Sequence, residues 1–182
     1  MSDHHSIAMR HNGYSLLEVL VALVVISIGV LGVAAMQATA LSGTHTSQTE
    51  SLVAIQARSL ADAMLANSAI WNSPSAPASV SVAPAGSSVT VTGSTALAAT
   101  ADCNGTVCTA SKMAAYDFQT WATYFFQAVP NATQATVNCN TTAPPVCTIQ
   151  LQWTQKASTA INRASANPAA ATTASYTLIN QF

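Results

Sequence analysis

The chain has 182 residues, a net charge of −1 and only 6% charged residues. That length holds one modest core with an attachment and excludes two ordinary domains, and the lack of positive charge excludes a phosphate-neutralising face and with it nucleic-acid binding. Half of the residues are hydrophobic, but beyond residue 40 the apolar content is mostly Ala and Val diluted by Ser, Thr and Asn, so the membrane character is local.

Residues 1–12 place His4, His5, Arg10 and His11 among small polar side chains. Neighbouring histidines can hold a metal, but so short a polar stretch reads as a leader. Glu18 then stands at the entrance of a run, Val19 to Met36, in which Ser27 is the one polar side chain. About 18 residues rising ~1.5 Å each span about 27 Å, close to the hydrocarbon thickness of a bilayer. "ATA" at Ala38 to Ala40 offers a site at which an exported protein would lose this segment. The apolar run is longer than a signal core of about 7 to 15 residues, and the helical pattern continues to Gly43, so the segment reads as retained.

From Thr44 to Asn67 the pattern turns amphipathic. Val53, Ala57, Leu60, Ala61 and Met64 fall on one stripe, with Arg58 and Asp62 opposite. A single helix from about Tyr14 to about Asn67, on the order of 80 Å, follows if Gly43 is absorbed. A glycine there costs up to about 1 kcal/mol and makes a bend the expectation.

Asn72 to Gly93 contains Pro74, Pro77 and Pro84 and the alternating pairs Val80/Val82 and Val89/Val91; it reads as a loop followed by one or two short edge-like strands. "SKMAAYDFQTWATYFFQAVP" is a second helix with Ala114, Phe118, Trp121, Ala122 and Phe125 on one stripe, ended by Pro130. That aromatic stripe reads as core. "VCTIQLQW" alternates Cys147, Ile149, Leu151 and Trp153 with Thr148, Gln150 and Gln152, the strongest strand pattern in the chain, and "SYTLINQF" closes it after a loop containing Pro168. Strands joined by loops rather than crossover helices form an antiparallel sheet. The fold expected is therefore α+β: a long N-terminal transmembrane and amphipathic helix packed on a small antiparallel sheet, with one additional helix.

The four cysteines, Cys103, Cys108, Cys139 and Cys147, all follow the apolar segment, as suits an oxidising compartment. Of three possible connectivities the sequence-local pairs, Cys103 with Cys108 and Cys139 with Cys147, close the shortest loops; spacing alone leaves the others open. C-x₄-C and C-x₇-C without a nearby His match no common zinc site. Asp117 reads as a helix cap or a loop partner. "DCNGT", Asp102 to Thr106, lacks the acidic density of a calcium loop, and the sequons at Asn104, Asn131 and Asn140 are no more than chance supplies in a Thr-rich chain. His45 is the only histidine beyond the leader and the acids are scattered, so no catalytic constellation, metal or cofactor is expected.

"GYSLLEVLVAL", Gly13 to Leu23, resembles the processing site of type IV prepilins: a Gly, an aromatic or Met residue after it, a Glu four residues further on, then an apolar helix. The resemblance implies that prepilin peptidase cuts between Gly13 and Tyr14 and methylates the new amine, leaving the helix in place. It also implies a salt bridge between Glu18 and the Tyr14 amine, usually of a neighbouring subunit, which sets register because a mismatched charge in a low-dielectric bundle is heavily penalised. No Pro occurs between Tyr14 and Asn67, unlike the major pilins, which suits a minor pilin.

"ARSLADAMLAN", the C-x₄-C pair, "AAYDFQTWATYFFQAVP" and "CTIQLQW" together resemble the PilV-type minor pilins. The likeness covers Gly13 to Asn67 and Cys103 to Trp153, and leaves Ser73 to Ala101 and Gln155 to Ala174 unexplained. It implies a leader over 1–13, a membrane and filament-core segment over 14–41, an amphipathic segment over 42–70 and a periplasmic globular domain over 71–182. The implied role is in a minor-pilin complex that primes pilus assembly and sits at the tip, supporting piliation, twitching motility and adhesion. Its implied partners are other minor pilins, the tip adhesin, the major pilin, prepilin peptidase and inner-membrane lipid. A minor pseudopilin of a type II secretion system shares the N-terminal chemistry, and an exported soluble binding protein cut at "ATA" is the reading of a different class.

Overall fold

The computed structural model describes residues 15–74, 76–140, 142, 144–155 and 171–182, without the side chains at 39 and 42. The expected leader, with Gly13, and Tyr14 after it lie outside the described residues. The chain divides into two compact units, Met1–Gly43 and Thr44–Phe182. Helix α1, Leu16–Ala66, contributes to both. Ser15 opens it: its hydroxyl accepts from the Leu17 N–H at 3.3 Å and its carbonyl from the Glu18 N–H at 3.0 Å, satisfying two of the donors that a helix start leaves free.

In the second unit the residues Thr44 to Ala66 of α1 are followed by a single-turn helix α2, Ser68–Trp71, then β1, Ser79–Ala85, and β2, Ser88–Thr92. A second single-turn helix, α3, Thr95–Ala98, precedes α4, Ala110–Ala128. The chain closes with β3, Ala132–Cys139, β4, Val146–Gln155, and β5, Thr172–Gln181. The five strands form one sheet in the order β2-β1-β3-β4-β5, and every neighbouring pair is antiparallel. The α+β class, the long apolar helix and the antiparallel sheet are as the sequence predicts.

Three expectations need correction. β1 is interior, not edge-like: it pairs with β3 over Ser79 to Val82 and with β2 over Ser81 to Ala85. Pro84 is tolerated because it lies past the segment facing β3, where its missing N–H removes no ladder bond on that side. The additional helix is accompanied by the two one-turn helices. β3 is not anticipated at all, since its inward residues are Ala135, Val137 and Cys139 and its flanks Asn131 and Asn140 read as turn.

The alternation written in the sequence becomes burial. Val80, Val82, Ala135, Val137, Cys147, Ile149, Leu151 and Trp153 face inward and are buried. Against them pack Ala114, Phe118, Trp121, Ala122 and Phe125 of α4 and Val53, Ala57, Leu60, Ala61 and Met64 of α1, all buried in the same core. Each large apolar side chain so buried contributes about 1.5–3 kcal/mol. Trp71, Phe118, Trp121, Phe125 and Phe126 form a continuous aromatic row with successive ring centroids 6.2, 6.1, 5.4 and 5.0 Å apart. Thr109 caps α4, its hydroxyl accepting from the Lys112 N–H at 3.4 Å. Gly93 turns the chain out of β2 at φ +89°, against the Ser79 carbonyl oxygen, where a Cβ has no room.

Candidate functional site

Over the first unit α1 is apolar on every side. Leu20, Leu23, Val25, Ile26, Ile28, Val30 and Leu31 are all exposed, and among the described residues α1 is the one helix long and apolar enough to cross a membrane. A helix apolar all round belongs in hydrocarbon or in a bundle of its own kind. Ser27 does not interrupt this, because its hydroxyl donates to the Leu23 carbonyl at 2.7 Å within the same helix, so no polar group asks for water.

Glu18 occupies the first turn of α1. There the exposed amide ends favour an anion, and Ser15 with Glu18 has the S-x-x-E spacing of a capping box. Neither half of that box is made: the Ser15 hydroxyl accepts from the Leu17 N–H rather than from that of Glu18, and among the described residues the Glu18 carboxylate has no hydrogen-bond or ion-pair partner. Placing it at the entrance rather than the middle decides the energetics. The eleven Leu, Ile and Val residues from Val19 to Val33 favour insertion by on the order of 3 to 7 kcal/mol. A carboxylate at the bilayer centre would cancel roughly 2.5 to 3.5 kcal/mol of that; at the helix start it can remain among headgroups. The arrangement suits a membrane anchor and, among the described residues, leaves one carboxylate without a countercharge at its membrane end.

The second unit offers no comparable chemistry. Cys103 is bonded to Cys108, and Cys139 to Cys147. The second bond is buried and joins residues directly opposite on β3 and β4; the first closes an exposed loop ahead of α4. Asp102 organises that loop, its Oδ1 accepting from the Asn104 N–H at 3.0 Å and its carbonyl from the Thr106 hydroxyl. Among the described residues no group of three or more His, Cys, Asp or Glu is placed to hold a metal.

Asp117 does not cap α4; it holds Asn67, the turn residue between α1 and α2. Its Oδ2 accepts from Asn67 Nδ2 at 2.8 Å, and that same nitrogen donates to the Ala63 carbonyl at 2.9 Å, so the carboxylate ties the end of α1 to the middle of α4. Beside it an open groove of ≈ 640 Å³ is lined by Gln56, Ser59 and Ala63 of α1 and Thr120, Trp121 and Tyr124 of α4. Asp117 is already engaged by Asn67, and among the described residues that line the groove there is no His, Lys or Arg. The Trp121 indole N–H, which a core reading leaves without a partner, donates to the Gln56 carbonyl at 3.0 Å.

Residues 8–34 match the family model described as the prokaryotic N-terminal methylation motif. The match takes in Gly13, Tyr14, Glu18 and most of the apolar run, and stops before the second unit. No curated protein and no solved structure matches the chain significantly. The N-terminal segment is thus of prepilin type, which supports a type IV pilin or pseudopilin, membrane anchoring through the apolar helix and processing by prepilin peptidase; proteins bearing this motif are structural subunits.

Proposed function

We propose that the chain is a minor pilin of the type IV pilus, of PilV type, held in the inner membrane with its second unit in the periplasm until it enters the pilus. Prepilin peptidase removes residues 1–13 and methylates Tyr14. The new amine is the cation that Glu18 lacks, and in the filament core their pairing fixes the axial register of the subunit, because a lone carboxylate among apolar helices is strongly disfavoured. The subunit joins other minor pilins beneath the tip adhesin, primes assembly of the major pilin, and so supports piliation, twitching motility and adhesion. The observation that carries this reading is the coincidence of the methylation motif with a helix whose sole ionisable side chain in its membrane end is Glu18, without a partner among the described residues.

A minor pseudopilin would have the same N-terminal chemistry. The disulfide-closed loop directly ahead of α4 and the Asp117-x₃-Trp121 pattern on it favour the pilus. The test is recovery of Glu18→Ala in sheared pili. The variant is expected in the membrane at wild-type level and depleted from pili about tenfold, the effect of ~1.4 kcal/mol on an assembly equilibrium; wild-type recovery would refute the pairing.

A further inference from the structure

The edge of a sheet exposes a row of unpaired backbone donors and acceptors, and proteins blunt it with short strands, charge, proline, bulges or a covering element. The two edges of this sheet differ in that respect. β2 is five residues long and has α3 packed beside it. β5 is ten residues long, contains no charged residue, proline or glycine, and keeps unbroken register with β4 from Thr172 opposite Gln155 to Gln181 opposite Val146. Among the described residues no strand pairs with its far side.

The core layer also reaches this edge unfinished. Ala174, Tyr176 and Leu178 continue the inward face of β4 and pack against the core while staying only half-buried. Asn180, next on that face, has a buried Nδ2 with no acceptor among the described residues. On the other face Thr173, Ser175, Thr177 and Ile179 are exposed.

We propose that the free edge of β5 receives an extended, uncharged segment of another protein chain as a sixth strand. Backbone bonds to the outward amides and carbonyls of β5 would supply the affinity, and alternation would supply the selection. The residues of the segment that face inward lie beside Tyr176 and Leu178, so they are apolar, with an oxygen-bearing side chain level with Asn180. Charge complementarity fixes the class: β5 has no countercharge, and a Lys or Glu facing inward would lose hydration with nothing to replace it. The surface belongs to the second unit and holds whether or not the N-terminus is processed.

The full chain in lipid nanodiscs tests this by amide hydrogen exchange. The probes are two blocked peptides as long as β5, one alternating Thr and Val, the other with Lys at two central Val positions. The neutral peptide is expected to slow exchange of the β5 amides directed away from β4 by about tenfold or more, and the Lys-bearing peptide to leave them unchanged. Absence of protection by the neutral peptide, or equal protection by both, would overturn the proposal. Protection that appears without peptide and grows with protein concentration would overturn it in favour of a second copy of this chain.

Discussion

Replacing Asp117 with alanine tests how the end of α1 is held. Asn67 is only 9% exposed, and its Nδ2 divides two N–H groups between the Ala63 carbonyl at 2.9 Å and Asp117 Oδ2 at 2.8 Å. Asp117→Ala strips one acceptor from a largely buried donor. A hydrogen bond to a charged group contributes about 1.5–3 kcal/mol, and because Asp117 itself is half-buried water can replace part of it, so the expected loss is about 1–2 kcal/mol. For a chain of this size that lowers Tm by roughly 2–8 °C. Asn67→Ala should cost about as much, since it removes the donor from the same bond. The double variant should therefore be less destabilised than the sum, by a coupling of about 1 kcal/mol. Urea unfolding of the full chain in detergent, followed by the fluorescence of the core tryptophans, reads all four corners of this cycle. Strict additivity, with a coupling under about 0.3 kcal/mol, would show that the two side chains act separately and would refute the tie. A silent Asn67→Ala beside a costly Asp117→Ala would return Asp117 to a role within α4 alone.

Gly93→Ala should destabilise the second unit by more than about 1 kcal/mol, because it combines a left-handed backbone with a Cβ driven into the Ser79 carbonyl; a Tm equal to wild type would contradict this. Replacing both Cys139 and Cys147 with alanine should cost about 2.5 kcal/mol from loop entropy plus lost burial, whereas the half-buried Cys103 and Cys108 pair should cost nearer 2 kcal/mol; denaturant midpoints of the two double variants should rank in that order, and the reverse order would be the contrary result. Gly13→Ala should block cleavage and leave the chain at precursor mobility on a gel, and a band at the mature position would count against the proposed cut.

The fold was legible where burial and periodicity coincide. α1 ends within a residue of Asn67 because its stripe, Val53 to Met64, is uninterrupted by Pro; α4 and β4 follow from the Phe118–Trp121–Phe125 and Ile149–Leu151–Trp153 patterns. β3 was hidden because Ala135 and Val137 bury little surface and the adjoining Asn residues carry turn signals. The place of β1 inside the sheet was equally illegible, since proline disfavours an interior strand in general while the extent of pairing, known only from the structure, decides that Pro84 faces β2 and not β3. The partner of Asp117 was not legible because Asn67 is fifty residues away, beyond any local rule. At the membrane end Glu18 was legible as an anomaly in an apolar run, whereas the Tyr14 amine proposed as its cation came only from the resemblance to prepilins, because a cleavage that creates an amine leaves no charged residue to read.

The central claim is that the apolar helix is kept and begins with a newly made amine. Mass spectrometry of N-terminal peptides from the membrane-extracted protein tests it directly. The account predicts a first residue of methylated Tyr14 followed by Ser15 and the intact helix; a first residue of Leu41, or a chain still carrying Gly13, would contradict it.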